Sequence, residues 1–379
     1  MDFPLPIPPA LRQAAPPGTG VLLALSGGVD SAVALAVLRQ LDCAVTAVTF
    51  KNFCLGDDGP AGVDGERSCC SLEAAEDARR VAVGLGARHW VHDVAPLFRA
   101  EVIAPFVAEY AAGRTPNPCL ACNARVRFPE LVRLADQLGL ALVATGHYAR
   151  REELDGAPCL RRGADRDKDQ SYFLYRLGRT LLARALFPLG WATKGEVRAA
   201  ARTLGLPVAE KAESQEICFV PGDDRAPLFA GGGAAVAGEI VDREGRVVGA
   251  HRGLAHYTVG QRRGLGVAAA RPLYVLALDA PRNRVVVGPE EALVVTGVVC
   301  DDVVETSGAL PAAGPPAGRD CVARIRHRHA GVRVAGWRRL GDRLEVTLAE
   351  PARGVAPGQA LVLYEDDLVL GGGRIVGAA

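Results

Sequence analysis

An unbroken apolar run at 21–25 reads as a buried strand, and the residues from 31 to 41 carry the spacing of a helix. The same alternation continues, with strands expected over 44–50, 89–94 and 141–145 and helices over 72–85, 98–112 and 126–138. Alternating strands and helices predict an α/β chain: a Rossmann-like parallel sheet with helices on both faces. In such sheets ligands gather at the carboxyl ends of the strands, where residue 26, the segment after residue 50 and residue 146 would lie. Thr193 followed by Glu196 predicts a capping box opening a helix through Leu204, with Gly205 and Pro207 ending it.

Beyond about residue 223 the pattern changes to short strands between Gly-rich turns. Strand pairs are expected over 239–248, around Arg243-Glu244-Gly245, and over 273–287, around Pro281-Arg282-Asn283. From 298 short strands dominate, with turns at Gly314-Pro315-Pro316 and Pro357-Gly358. The expected division is a catalytic α/β domain over 1–222, a small central α+β or β module over 223–297, and a C-terminal β-barrel over 298–379.

Composition narrows the class. With 49% hydrophobic and 23% charged residues in 379, the chain can bury a sizeable core and is not a disordered protein. A formal net charge of +1 argues neither for nor against a nucleic-acid partner, which needs only a local basic face; residues 319–339, with Arg-Ile-Arg-His-Arg-His, offer one. No apolar run is long enough to span a membrane, and the Pro-rich lead at 1–20 lacks a signal-peptide pattern. A cytoplasmic protein is expected, with a monomer as the default. Ten cysteines then read as reduced thiols used for chemistry, metal or packing. Cys43, Cys159, Cys300 and Cys321 lie near apolar runs and read as buried fillers.

The strand at 21–25 runs directly into Ser26-Gly27-Gly28-Val29-Asp30-Ser31. Strand, tight loop and helix in that order make a phosphate site: Gly27 and Gly28 can take positive φ angles that converge backbone N–H groups on an anion, and the helix adds its positive end. Asp30 sits where a carboxylate can hold Mg²⁺, and Ser31 where a hydroxyl can touch a phosphate. There is no Gly-Lys-Ser/Thr, which excludes the loop of kinases and GTPases. The segment resembles instead the loop of ATP pyrophosphatases, which cleave ATP between its α and β phosphates and adenylate a substrate oxygen.

Two cysteine sites stand at junctions between elements: Arg114-Thr115-Pro116-Asn117-Pro118-Cys119-Leu120-Ala121-Cys122-Asn123 and Glu213-Ser214-Gln215-Glu216-Ile217-Cys218-Phe219-Val220. A thiol is nucleophilic as the thiolate, which a helix N-terminus or a nearby cation favours; the helix after Cys122, with Arg125 and Arg127, is expected to supply both. The alternative for Cys119 and Cys122 is half of a zinc site, although a second Cys-x-x-Cys is missing and His327-Arg328-His329 lies among arginines. Cys69 and Cys70 are adjacent in sequence, a spacing at which side chains are expected to diverge, so a shared metal is not expected there.

These segments occur in one order with Ala144-Thr145-Gly146-His147-Tyr148-Ala149-Arg150, Asp167-Lys168-Asp169-Gln170-Ser171-Tyr172-Phe173-Leu174 and Ile217-Cys218-Phe219. Phe50-Lys51-Asn52, the stretch from Tyr257 to Gly266 and Pro357-Gly358-Gln359 complete the set. Together they resemble the bacterial tRNA-specific 2-thiouridylase family over nearly the whole chain after residue 20, with the ATP pyrophosphatase type of sheet.

The resemblance implies an ATP-dependent sulfurtransferase that converts a wobble uridine of tRNA, in lysine, glutamate and glutamine acceptors, to 2-thiouridine. ATP, with Mg²⁺, would adenylate the C2 oxygen, a poor leaving group, and sulfur would then displace it. Cys218 would carry a persulfide received from a cysteine desulfurase or sulfur-relay protein. Cys122 would be the second nucleophile, attacking the persulfide to free sulfide or resolving it as a Cys122–Cys218 disulfide. ATP would meet Ala24, Leu25, Ser26, Gly27, Gly28, Val29, Asp30, Ser31, Phe50 and Gly146, with Phe50 either flanking adenine or filling the core. The target base would lie near Asn117, Pro118 and Cys119. His147, Lys168, Asp169, Gln170, Arg326, His327 and Gln359 would touch tRNA, Lys168 and Arg326 through phosphates and Gln359 at a base edge.

The chain departs from this pattern at Cys119, where the family has an Asp with acid-base work at the uracil; a thiol substitutes imperfectly for it. Cys119, Cys122 and Cys218 also give three thiolates, the number that leaves one iron of a four-iron cluster open to sulfide. Persulfide and cluster routes both stand at this point. So does a different adenylating synthetase with the same loop, although no glutaminase module is evident.

Overall fold

The computed structural model describes residues 3–52, 72–212, 218–220, 226–229, 233–308, 310–315 and 318–379. Cys69, Cys70 and residues 213–217 lie outside the described residues. The chain falls into two compact units. One holds residues 1–101, 119–223 and 367–369; the other holds 102–118, 224–366 and 370–379.

The first unit is built on β1 (Gly20–Ala24), β2 (Ala44–Lys51), β3 (Arg88–Asp93) and β4 (Leu142–Ala144), followed by the hairpin β5 (Ala149–Leu154) and β6 (Ala157–Arg162) and the short β7 (Ala185–Leu186). Strands β3-β2-β1-β4-β7 form one sheet, every pairing parallel, as the alternation of apolar runs and helices predicts. Leu368 pairs opposite Arg161 beside the hairpin. The helix after β1 begins at Val29, two residues ahead of expectation, so Asp30 lies in its first turn. This helix is buried along most of its length, sharing one core with Val21 and Leu23 of β1, Val45 and Ala47 of β2, and Val197, Ala200 and Ala201 of the helix Lys194–Thr203. The expected capping box opens that last helix: Thr193 Oγ1 accepts from Glu196 N at 3.3 Å, and Thr193 N donates to Glu196 Oε2 at 2.7 Å.

Two expected helices are not continuous. The helix over 98–112 is three segments, Ala95–Phe98, a π-wound Arg99–Ile103 and Ala104–Ala111. The helix over 126–138 likewise starts earlier, at Pro118–Ala121, passes through a π-wound Cys122–Arg127 and becomes regular at Phe128–Gln137. Each π segment ends just ahead of a proline, Pro105 or Pro129, at the second position of the next helix. Proline has no N–H for the carbonyl four residues back and its ring crowds that carbonyl, so the preceding turn widens.

The second unit has a four-stranded sheet from β8 (Gly238–Val241), β9 (Val247–His251), β10 (Tyr274–Asp279) and β11 (Arg284–Gly288), ordered β10-β11-β8-β9. Both expected hairpins are present, and β8 and β11 are parallel between them. Ile240, Val275, Val285 and Val287 form its core with Leu254, Tyr257 and Leu265.

Next come β12 (Val294–Glu305), β13 (Ala313–Gly314), β14 (Cys321–Arg324), β15 (Val332–Leu340), β16 (Arg343–Arg353), β17 (Ala360–Glu365) and β18 (Leu368–Ala378). Strands β12-β16-β15-β14-β17-β18 run in order, and β18 returns to pair antiparallel with β12, which closes the expected barrel. Cys43, Cys159, Cys300 and Cys321 are all buried.

Candidate nucleotide and thiol sites

The loop after β1 is drawn tight by its last serine. Ser31 Oγ accepts from Ser26 N at 3.1 Å, meets Ser26 Oγ at 3.1 Å and donates to the Gly28 carbonyl at 3.0 Å. Gly27 has φ +72°, and a Cβ there would lie 2.1 Å from the Ala74 carbonyl oxygen, so the position admits only glycine. Gly28 corrects the sequence expectation: it is extended, with φ −100°, and one left-handed residue is enough for the turn.

Gly146, just past β4, abuts the loop; a Cβ on it would lie 2.9 Å from Ser31 N and 3.0 Å from Asp30 C. Ala24, Leu25, Ser26, Gly27, Gly28, Val29, Asp30, Ser31 and Gly146 are thus one cluster at the carboxyl ends of neighbouring strands. Phe50 stands near the same end of the adjoining β2, half-buried, its ring 6.1 Å from that of His92.

Asp30 is held by two residues that the sequence reading assigned no role. Lys194 Nζ donates to both its oxygens, at 2.7 and 2.8 Å, and Tyr148 OH donates to Oδ1 at 2.7 Å. Tyr148 is fixed in turn by Gln170, whose Oε1 accepts from Tyr148 N at 2.9 Å and whose own N–H donates to the Tyr148 carbonyl at 2.8 Å. The Asp30 carboxylate is an oxygen donor of the type Mg²⁺ takes.

The thiols differ in setting. Cys119 is exposed, Cys218 is half-buried, and Cys122 is buried at the head of the π-wound turn. Cys122 and Cys218 are free thiols. The expected activation of Cys122 is not in place. Burial pushes its thiol above the usual range, and the nearby Arg127 charge only partly opposes that. Arg127 Nη1 is engaged by Asn123 Oδ1 at 3.0 Å, and Arg125 Nη1 lies 3.8 Å from Glu101 Oε2. Asn123 Nδ2 itself donates to the Phe173 carbonyl at 3.2 Å.

Among the described residues no three of His, Cys, Asp and Glu are grouped to hold a metal ion. Cys119, Cys122 and Cys218 do not form such a group.

Of the residues expected at tRNA, His147 bonds Thr145 Oγ1 through Nδ1 at 2.8 Å and packs among Phe128 and Phe187. Burial, with the Arg127 charge adding, pushes its imidazole down to about 3, so it is neutral at physiological pH. Asp169 is buried and accepts from Gly163 N, Ser171 N and Arg162 Nε, each at 3.1 Å; its carboxylate locks a turn and does not face solvent. Lys168 is half-buried. In the second unit Arg326 is exposed, His327 half-buried, and Gln359 Nε2 donates to the Thr115 carbonyl at 2.7 Å. Asn117 and Pro118 also fall in that unit, whereas Cys119 falls in the first.

Residues 19–222 match the tRNA methyl transferase HUP domain, residues 232–289 the tRNA methyl transferase PRC-barrel domain, and residues 312–375 the aminomethyltransferase beta-barrel domain. The chain is 46% identical over 360 residues to the tRNA-specific 2-thiouridylase MnmA of Geobacter metallireducens, covering 94% of this chain and 96% of that protein. It is 45% identical over 374 residues to the enzyme of the same name from Roseiflexus castenholzii, covering 94% and 98%. A solved NMN synthetase from Francisella tularensis is similar over 57% of this chain and 70% of that one, at 20% identity and a TM-score of 0.33. The family match over 19–222 spans both the phosphate loop and the two cysteine segments, and, with relatives 45–46% identical over 94% of its length, the chain belongs to the tRNA-specific 2-thiouridylase family.

Proposed function

We propose that this chain is an ATP-dependent tRNA-uridine 2-sulfurtransferase acting in the cytoplasm as a monomer. The observation that carries the reading is the Ser26–Ser31 loop with the Gly146 backbone packed on it, in the same unit as Cys122 and Cys218. A tight glycine turn that runs straight into a helix start suits the phosphates of ATP, and Asp30 suits its Mg²⁺. The C2 oxygen of a wobble uridine near Asn117, Pro118 and Cys119 attacks the α-phosphorus and pyrophosphate leaves, which turns that oxygen into part of an AMP leaving group.

Sulfur then arrives as a Cys218 persulfide loaded by a donor protein. Its terminal sulfur bonds to C2 and AMP departs. The Cys122 thiolate attacks the Cys218 sulfur and breaks the S–S bond, leaving 2-thiouridine and a Cys122–Cys218 disulfide. A dithiol reductant supplies the two electrons that reset it. Because the Cys122 thiol is buried and raised, this step requires tRNA binding to open its surroundings.

Arg326 and Lys168 are the side chains suited to tRNA phosphates, and His147 acts as a neutral hydrogen-bonding group. Asp169 and Gln170 shape the loop from within.

The test is pyrophosphate release and 2-thiouridine formation with lysine, glutamate or glutamine tRNA and a persulfide donor. Pyrophosphate released only when tRNA is present, and thiolation abolished in Cys218→Ser, support the reading. Full thiolation in Cys218→Ser refutes the carrier assignment. About four irons per chain with matching acid-labile sulfide, in protein purified without oxygen and lost in Cys119→Ala, would favour the cluster route instead.

A further inference from the structure

The phosphate loop carries no lysine of its own, yet a lysine reaches it from elsewhere in the chain. Lys194 lies 164 residues beyond Asp30 in sequence, and its Nζ contacts both carboxylate oxygens. Its side chain is 11% exposed and that of Asp30 33%. The ammonium also stands 5.9 Å from the centroid of the Tyr148 ring, whose hydroxyl holds the same carboxylate. The backbone behind it is fixed twice over. Lys194 is the first residue of the helix opened by the Thr193–Glu196 box, and its N–H donates to Asp165 Oδ2 at 2.9 Å. That helix shares a core with the one whose first turn carries Asp30, so the ammonium is held at the loop by rigid elements.

We propose that Lys194 is the polyphosphate cation of this site: its Nζ binds the β- and γ-phosphoryl oxygens of ATP and stabilises the departing pyrophosphate. Asp30 and Tyr148 position it. The inference rests on the adenylation reading above. Cleavage breaks the bond between the α-phosphorus and the bridging oxygen. The bond's electron pair stays on that oxygen, while the uridine oxygen bonds to the α-phosphorus. Negative charge thus accumulates on the leaving group, where a preorganised ammonium in a partly desolvated site acts most strongly. The charge that a loop lysine supplies in kinases and GTPases comes here from a separate helix.

The test is calorimetric titration of the full chain with ATP and with AMP, in EDTA and in Mg²⁺, without tRNA. AMP lacks the phosphates assigned to Lys194, and EDTA removes the metal's share. Expected in EDTA is a preference for ATP over AMP in the wild type. Lys194→Met should weaken ATP by roughly tenfold or more, the scale of a lost charge-assisted contact, and leave AMP within about twofold. Lys194→Arg should keep most of the preference. If the Met variant fails to fold, Lys194→Gln is read in its place. Equal weakening of both nucleotides, no weakening of either, or a wild type that binds ATP no better than AMP in EDTA overturns the inference. A wild type that binds no ATP even with Mg²⁺ overturns the adenylation reading itself.

Discussion

Arg127 Nη1 donates to Oδ1 of Asn123 at 3.0 Å, one turn along the π-wound segment that starts at Cys122. The guanidinium is thereby held on a neutral amide, and the thiol at the head of the turn keeps its proton. The expected order of modification by iodoacetamide at pH 8, read by mass spectrometry, is Cys119 and Cys218 ahead of Cys122, by roughly tenfold or more. Arg127→Met, which removes the one charge that opposes burial, should slow Cys122 further. Cys122 reacting first in the protein alone would contradict this account.

Three glycines of the nucleotide site should separate in their tolerance of a methyl group. Gly27→Ala meets both a left-handed φ of +72° and the Ala74 carbonyl at 2.1 Å, and Gly146→Ala drives a Cβ to 2.9 Å from Ser31 N. Each should cost ~1–3 kcal/mol in denaturant melts, with loss of ATP binding. Gly28→Ala, with φ −100° and a nearest neighbour at 3.5 Å, should change stability by less than ~0.5 kcal/mol. Melts in which Gly28→Ala is as damaging as Gly27→Ala would show that the loop is wound differently.

The acid limb of stability should carry a contribution from His147. Its folded value of about 3 lies below the ordinary 6.5, so between those values the unfolded chain binds a proton that the folded chain refuses. Stability therefore falls as pH is lowered through that window, by at most ~1.4 kcal/mol per pH unit from this group. His147→Asn, whose amide can keep the Thr145 contact, should flatten the slope between pH 6.5 and 5. Parallel slopes for the two proteins would mean the imidazole protonates freely when folded.

What the sequence makes legible is what neighbouring residues decide. The run 21–25 is β1 to within a residue, the Thr193–Glu196 box forms with both bonds, and the serines and Gly27 of the loop lie where strand-loop-helix logic puts them. The two π-wound turns are not legible from periodicity, because Pro105 and Pro129, their local signal, fit equally well inside a longer helical pattern. Lys194 is not legible in the sequence because its meaning depends on a partner 164 residues away, and no local pattern distinguishes it from a solvated lysine. For the same reason the expected help of Arg125 and Arg127 to Cys122 failed: each guanidinium faces an acceptor, Glu101 or Asn123, that competes for it. Closure of the barrel through β12 and β18 is again a pairing across some seventy residues that strand propensity alone does not specify.

The capping box offers a last test because it joins stability to the nucleotide site. Thr193 Oγ1 satisfies Glu196 N, while the Glu196 carboxylate is held below its usual range chiefly by the Thr193 N–H and secondly by its hydroxyl. Thr193→Ala removes the hydroxyl but not the backbone donor, and should cost ~1 kcal/mol. Fraying of the first turn would also loosen Lys194, the next residue, from Asp30. ATP affinity should then fall by less than in Lys194→Met, with AMP affinity unchanged, whereas Thr193→Ser, which retains the acceptor, should match the wild type in both melting and ATP titration. A Thr193→Ala protein that loses stability but keeps full ATP affinity would show that the helix core, and not the cap, holds Lys194 at the loop.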